Sequence, residues 1–253
     1  MAAFEVYRYE RKYVVTEAAA DAIRRFVTSY LDRDIYMAGK GPTGYRIHSL
    51  YFDTPGYALY RQTMEGHKNR YKLRIRFYDE LPHSPAFLEV KRRTTETIHK
   101  LRAAVSKSAA EKLLGGTRLK VADLLSTNEA SVRALDEFCD RREKMRLEGA
   151  AYVCYQREAY VSRAAESLRV TFDRQIVGQT YHSDCSLALP EQKAVIEPKG
   201  VVLELKYNGR IPHWMHDLVG SFRLDRTPFS KYVYCTDALR NVAMKASLRV
   251  RSA

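Results

Sequence analysis

The stretch Asn69-Arg70-Tyr71-Lys72-Leu73-Arg74-Ile75-Arg76-Phe77-Tyr78 decides the fold. Its period is two: Arg70, Lys72, Arg74 and Arg76 fall on one face, and Tyr71, Leu73, Ile75 and Phe77 on the other. A strand divided in this way cannot put its charges into an ordinary core. Its cationic face either meets water or lines a polar cavity that holds an anion. The device recurs along the chain. In Phe87–Arg93, Leu88 and Val90 oppose Glu89, Lys91 and Arg93; in Leu168–Asp173, apolar residues oppose Arg169, Thr171 and Asp173. In Val201–Lys206, Glu204 and Lys206 share a face. Four such strands read as the staves of an antiparallel barrel with a charged lumen.

The bulk composition fits a folded chain with an anionic partner. The 253 residues are 45% hydrophobic and 29% charged, with a net charge of +13. The partner classes this suggests are nucleic acid, an anionic membrane or a polyphosphorylated small molecule. The basic residues are spread over the strands, which favours a site over a disordered arm. Nucleic acid is not the expected partner, because helix-turn-helix, aromatic RNP and zinc-module patterns are missing from the sequence. Cys139, Cys154, Cys185 and Cys235 form no C-x-x-C pair. Free thiols in a reducing compartment are therefore expected, without structural zinc or a disulfide framework. His213 and His216, three apart on a helix, read as surface residues. Met1–Glu5 carries no apolar signal region, and no apolar run approaches the roughly 20 residues of a membrane span. A soluble cytoplasmic protein is expected, with membrane association only through a partner protein.

The pattern of elements predicts α+β architecture in a single domain covering 1–253. Strands are expected at 8–15, 45–54, 70–79, 86–93, 97–105, 150–162, 167–174, 201–207 and 229–235. Thr16 caps a helix through about Leu31, and Ser106 starts a short one that Gly115-Gly116 stops. Further helices are expected at 130–146, near 213–222 and from about Asp237, with a basic face from Lys245 to Arg251. The stretch 178–199 is the least regular. Many strands with helices between them, and no GxGxxG or P-loop spacing, favour an antiparallel barrel over a doubly wound sheet. Tyr51 and Phe52 read as packing in the barrel wall, and Trp214 with Leu218 as a core stripe.

Several runs together carry a resemblance. They are Arg8-Tyr9-Glu10-Arg11-Lys12-Tyr13, Ser49-Leu50-Tyr51-Phe52-Asp53-Thr54, Arg70–Arg76, Leu88-Glu89-Val90-Lys91, Tyr155-Gln156-Arg157-Glu158-Ala159-Tyr160, Leu203-Glu204-Leu205-Lys206 and Phe229-Ser230-Lys231-Tyr232. In this order they resemble the vacuolar transporter chaperone (VTC) domain, from about residue 5 to 235. That domain belongs to the triphosphate tunnel (CYTH-like) superfamily. The resemblance implies an eight-stranded antiparallel β-barrel tunnel with peripheral helices. It also implies a phosphotransferase that extends inorganic polyphosphate from ATP or another nucleoside triphosphate, with Mn²⁺ or Mg²⁺.

The same resemblance implies roles for residues. Arg74, Arg76, Lys91 and Glu204 would act in transfer. Lys12, Lys100, Arg102, Tyr155, Arg157, Arg169, Lys206, Ser230 and Lys231 would hold phosphates, joined by Arg70 and Lys72, for which a surface role near the turn stays open. Glu204 would ligate the metal, with Glu10 and Glu89 as further candidates. The chemistry suits these residue types: phosphoryl transfer depends on positioning and charge neutralisation, which Arg forks and mobile Lys charges supply. Glu89–Lys91 and Glu204–Lys206 could instead be ion pairs across the lumen. Asp173 could assist a metal or, more in keeping with its neighbour, fix Arg169. The superfamily's opening E-x-E-x-K stands here as Arg8-x-Glu10-x-Lys12. A cation in place of the first carboxylate disfavours two-metal activation of water and points away from hydrolysis. A hydrolase on the same scaffold, or a module that only binds polyphosphate or inositol polyphosphates, is the alternative.

Overall fold

The computed structural model describes residues 8–41, 44–94, 97–162, 168–182, 186–187, 194–195 and 200–240. Among the described residues, ten strands and the helices between them make an antiparallel α+β fold. Eight strands carry the main ladders, and the two-residue strands β2 (Asp32–Arg33) and β9 (Ala194–Val195) pair beside longer ones. The chain divides into two units. One comprises the chain up to Arg46, Tyr155–Ile176 and the segment ending at Ser230; the other comprises Ile47–Cys154, the chain from Val177 and the chain from Lys231.

In the first unit, β1 (Arg8–Val15) pairs with β10 (Val201–Asn208), which pairs with β8 (Arg169–Thr180), followed by the later half of β7 (Glu148–Val161). The register sets Glu10 opposite Lys206, and Lys12 opposite Glu204, which in turn faces Thr171. The alternate residues Tyr13, Val15, Phe172, Leu203 and Leu205 point the other way and are buried. Helix α1 (Glu17–Val27) packs Ala20, Ile23 and Val27 into that core, and α5 (His213–Ser221) adds Met215 and Leu218. The Thr16 hydroxyl accepts from the Ala19 N–H and starts α1 as expected. The helix ends at Val27, short of Leu31, where the Thr28 hydroxyl donates back to the Arg25 carbonyl at 2.9 Å.

In the second unit the order is β7, β3 (Tyr45–Asp53), β4 (Asn69–Phe77), β5 (Ala86–Thr94) and β6 (Thr97–Val105). Leu73, Ile75 and Phe77 are fully buried and join Leu50, Phe52, Leu88 and Val90 in one cluster. Helix α3 (Lys107–Leu114) adds Ala110 and Leu113, and α4 (Glu129–Met145) adds Leu135 and Phe138. Burying each large apolar side chain stabilises by about 1.5–3 kcal/mol, so this face of β4 cannot exchange with its cationic one.

Two further expectations need correction. Residues 231–240 form a helix, α6, and not a strand over 229–235. Its Tyr-Val-Tyr-Cys run favours strands by propensity, but Tyr232, Cys235 and Thr236 are buried at helical spacing, and tertiary burial overrides that preference. Strand β8 runs on to Thr180, beyond the expected end at 174. Helix α2 (Ala58–Met64) was not legible, because its start is fixed by Asp53, a residue inside β3. Cys185, the basic face from Lys245 to Arg251 and much of 178–199 lie outside the described residues. Among the described residues, no helix is long and apolar enough to cross a membrane.

Candidate functional site

Each unit carries a cationic sheet face built around a buried carboxylate. In the second unit that carboxylate is Glu89, 2% exposed, on β5. Antiparallel pairing places Arg74 beside it on β4 and Arg102 on β6. Arg74 donates to Glu89 Oε2 from Nε at 2.7 Å and lies 2.6 Å away through Nη2. Arg76 Nε is 3.6 Å from the same oxygen. Lys100 Nζ is 2.8 Å and Arg102 Nε 3.4 Å from Oε1. Lys72, Lys91 and Lys100 form a row directly across the three strands. Four cations thus gather on one carboxylate. Burial would raise the Glu89 carboxyl, but Arg74, Arg76 and Lys100 outweigh it and hold the group well below the usual carboxylate range. Lys100 keeps 43% of its side chain open, yet its ammonium sits among these groups. Desolvation first, then Arg76 and Arg74, push it down to about 7 against the pull of Glu89.

In the first unit the carboxylate is Glu204, 4% exposed. Lys206 Nζ lies 2.7 Å and Arg157 Nη2 3.5 Å from its Oε2, and Lys12 Nζ lies 3.6 Å from Oε1. Lys12 also meets Glu10 at 3.0 Å and donates to the Phe229 carbonyl at 2.9 Å. Glu10, Lys12, Glu204 and Lys206 thus alternate in sign over two paired strands. Lys206 is pushed down to about 8, chiefly by burial, with Glu204 and Glu10 opposing. Gly44 serves this site through the backbone: at φ +83 it lies against the Arg157 carbonyl, and a Cβ there would sit 2.0 Å from the oxygen.

The expected phosphate cations are distributed over these clusters. Arg74, Arg76, Lys100 and Arg102 gather on Glu89, and Lys12, Arg157 and Lys206 on Glu204. Lys72 and Lys91 extend the first face by register, and Arg70 stands opposite Arg93 near its end, donating to the His67 carbonyl at 2.6 Å. Lys231, 7% exposed, opens α6, with Ser230 just before it. Tyr155 is buried beside Arg157, whose guanidinium lies 5.2 Å from the ring centre.

The partners of two arginines differ from expectation. Asp173 takes Arg157 and not Arg169, accepting from Nε at 2.7 Å and from Nη2 at 2.6 Å. Arg169 pairs instead with Asp34 and donates to the Tyr45 hydroxyl at 2.9 Å. Asp34 lies in a loop whose approach to β8 no local pattern encodes. Tyr51 does more than pack: its hydroxyl accepts from Arg74 Nη1 at 2.7 Å. Its place on the Ser49–Tyr51–Asp53 face, the face paired with Arg74 and Arg76, was the available signal.

Glu10 and Glu204, both within 4 Å of Lys12 Nζ, supply hard oxygen donors close together. Carboxylate oxygens are the donors Mg²⁺ and Mn²⁺ prefer, and these two residues are the ones here that could hold such an ion. No cluster of three or more His, Cys, Asp or Glu suited to a metal occurs among the described residues. Two buried hydroxyls on these faces, Ser49 Oγ and Thr171 Oγ1, lack a hydrogen-bond partner among the described residues.

An antiparallel α+β sheet with Arg/Lys-rich faces around buried carboxylates is the class that this fold and these clusters define. The VTC domain matches residues 7–240, and the chain belongs to that family. A Bacillus halodurans protein provisionally assigned as an adenylate cyclase shares 14% identity, with a TM-score of 0.48 over 88% of this chain and 94% of that one. No curated protein matches.

Proposed function

We propose that the chain is one VTC-type domain that transfers the terminal phosphate of ATP to a growing inorganic polyphosphate chain, with a divalent metal. The observation that carries this reading is Glu89 with Arg74, Arg76, Lys100 and Arg102 around it. Four cations converging on one carboxylate suit a dense linear anion, whose oxygens can accept from several of them at once. Arg74 and Arg76 would meet phosphate oxygens as forks, and Lys72, Lys91, Lys100 and Lys231 as point charges. Ser49 and Thr171 offer buried hydroxyls without hydrogen-bond partners among the described residues, as groups awaiting a ligand do.

On this reading Glu204 and Glu10 hold the metal, which neutralises charge on the transferred phosphoryl group when bound. Lys12, Arg157, Arg169 and Lys206 then set the local charge around those carboxylates. The enclosing tunnel expected of the family, the choice of Mn²⁺ or Mg²⁺, the cytoplasmic setting and any membrane-bound partner belong to the same proposal. Incubation of the purified protein with ATP and Mn²⁺, followed by a gel stained for polyphosphate, tests it. A ladder of long chains is expected. Release of orthophosphate without chains would establish the hydrolase alternative, and binding without turnover the non-catalytic one.

A further inference from the structure

Arg74 joins Glu89 on one side and the Tyr51 hydroxyl on the other. Tyr51 is 5% exposed and stacks on Tyr232 of α6, with ring centres 4.9 Å apart and planes 19° apart. The Tyr232 hydroxyl donates to Asp53 Oδ2 at 2.6 Å. Asp53, 1% exposed, also accepts from the backbone N–H groups of Thr54 at 2.7 Å, Leu59 at 2.8 Å and Tyr60 at 2.9 Å. One carboxylate therefore starts α2 and anchors α6 at the residue that follows Lys231. The Tyr60 hydroxyl bonds Asp237 further along α6, and Arg240 covers the rings of Tyr57 and Tyr60.

We propose that Asp53, Tyr232 and Tyr51 form a positioning assembly that holds the Arg74 guanidinium, and Lys231, the residue before Tyr232, in the orientation that receives phosphate. The physical argument is one of freedom. An Arg side chain has several rotatable bonds, and its fork binds an oxyanion at two points only when its plane is fixed. Glu89 fixes the Nε edge, and the Tyr51 hydroxyl fixes Nη1. Tyr51 in turn cannot rotate away, because Tyr232 lies flat against it and is itself tied to Asp53. The three residues touch no phosphate in this scheme; they act through Arg74 and Lys231. The inference rests on the reading of Arg74 as a phosphate-binding cation.

A double-mutant cycle measured by calorimetry with tripolyphosphate tests it without requiring turnover. Tyr51→Phe keeps the stacked ring and deletes only the hydroxyl. It is expected to weaken tripolyphosphate binding about tenfold in the wild-type background, the loss typical of one hydrogen bond to a charged group. In an Arg74→Ala background the same change is expected to have no effect. Melting temperatures of all four proteins separate this from a fold defect, which would weaken binding equally in both backgrounds. Tyr232→Phe, which frees the ring from Asp53, should reproduce the loss. Unchanged affinity in Tyr51→Phe, or an equal loss with and without Arg74, overturns the positioning role alone. Failure of the wild-type protein to bind tripolyphosphate overturns the reading of the site, and this inference with it.

Discussion

Arg157 and Asp173 meet at two points in the first unit, Nε to Oδ1 and Nη2 to Oδ2, with the carboxylate wholly buried. Burial works against the guanidinium charge, and Asp173 holds it on. Much of the Arg157 charge is thus answered by protein before any ligand arrives. Glu204, 3.5 Å from Nη2, takes a share of what remains. Arg157 thus acts as a strut for the Glu204 cluster.

Asp173→Asn is therefore expected to act first on stability. Breaking one side of a buried ion pair leaves the other charge uncompensated, at a cost of about 3–5 kcal/mol. For a chain of this size each kcal/mol moves the melting temperature by about 2–4 °C. A thermal melt lowered by roughly 6 °C or more is expected. A melt within a degree of wild type would show that the pair carries no such weight.

Glu89 predicts an acid dependence. Its carboxyl is held well below the usual range in the fold, while in the unfolded chain it titrates near about 4.3. The stability it contributes is present above that value and lost as pH falls below it, where the unfolded chain takes up the proton first. Glu89→Gln should be less stable than wild type at pH 7, and the gap should begin to narrow as pH falls below about 4. Urea midpoints measured from pH 7 to 3 check this; parallel curves would contradict it.

Lys100 and Lys206 predict proton uptake on binding. Both ammonium groups are pushed down, to about 7 and about 8, because their charge is disfavoured by burial. An incoming polyanion favours the charged form and raises both. Tripolyphosphate binding near pH 8 should consume protons, and affinity should fall as pH rises through this range. Calorimetry in Tris and in HEPES, whose ionisation enthalpies differ, reads the uptake directly. Identical heats in the two buffers would exclude it.

Glu204→Gln separates metal holding from charge pairing. The amide keeps the shape and loses the charge opposed to Lys12 and Lys206. Tripolyphosphate binding should hold or tighten, because a carboxylate no longer repels the anion. Product formation from ATP and Mn²⁺ should fall by orders of magnitude if the carboxylate holds the ion. Parallel losses of binding, turnover and melting temperature would mark Glu204 as a structural partner of Lys206.

Period-two alternation was enough, from the sequence, to show that Arg74, Arg76, Lys91 and Glu204 lie on strand faces opposite buried apolar residues. The pleat allows no other outcome once Leu73, Ile75, Val90 and Leu203 enter the core. Local signals also placed the helix starts at Thr16 and Ser106, because a cap acts within three residues. What tertiary structure alone decided was partnership. Arg157 could have met any nearby carboxylate, and only the docking of β7 on β8 selects Asp173. The same holds for Arg169 with Asp34, 135 residues apart, and for Tyr232 with Asp53, 179 apart. The helix at 231–240 belongs with these cases, since its residues favour a strand until Tyr232 finds Tyr51 and Asp53. Alternation is a property of neighbours in sequence, whereas an ion pair or a stack depends on where the backbone returns, and no local pattern carries that.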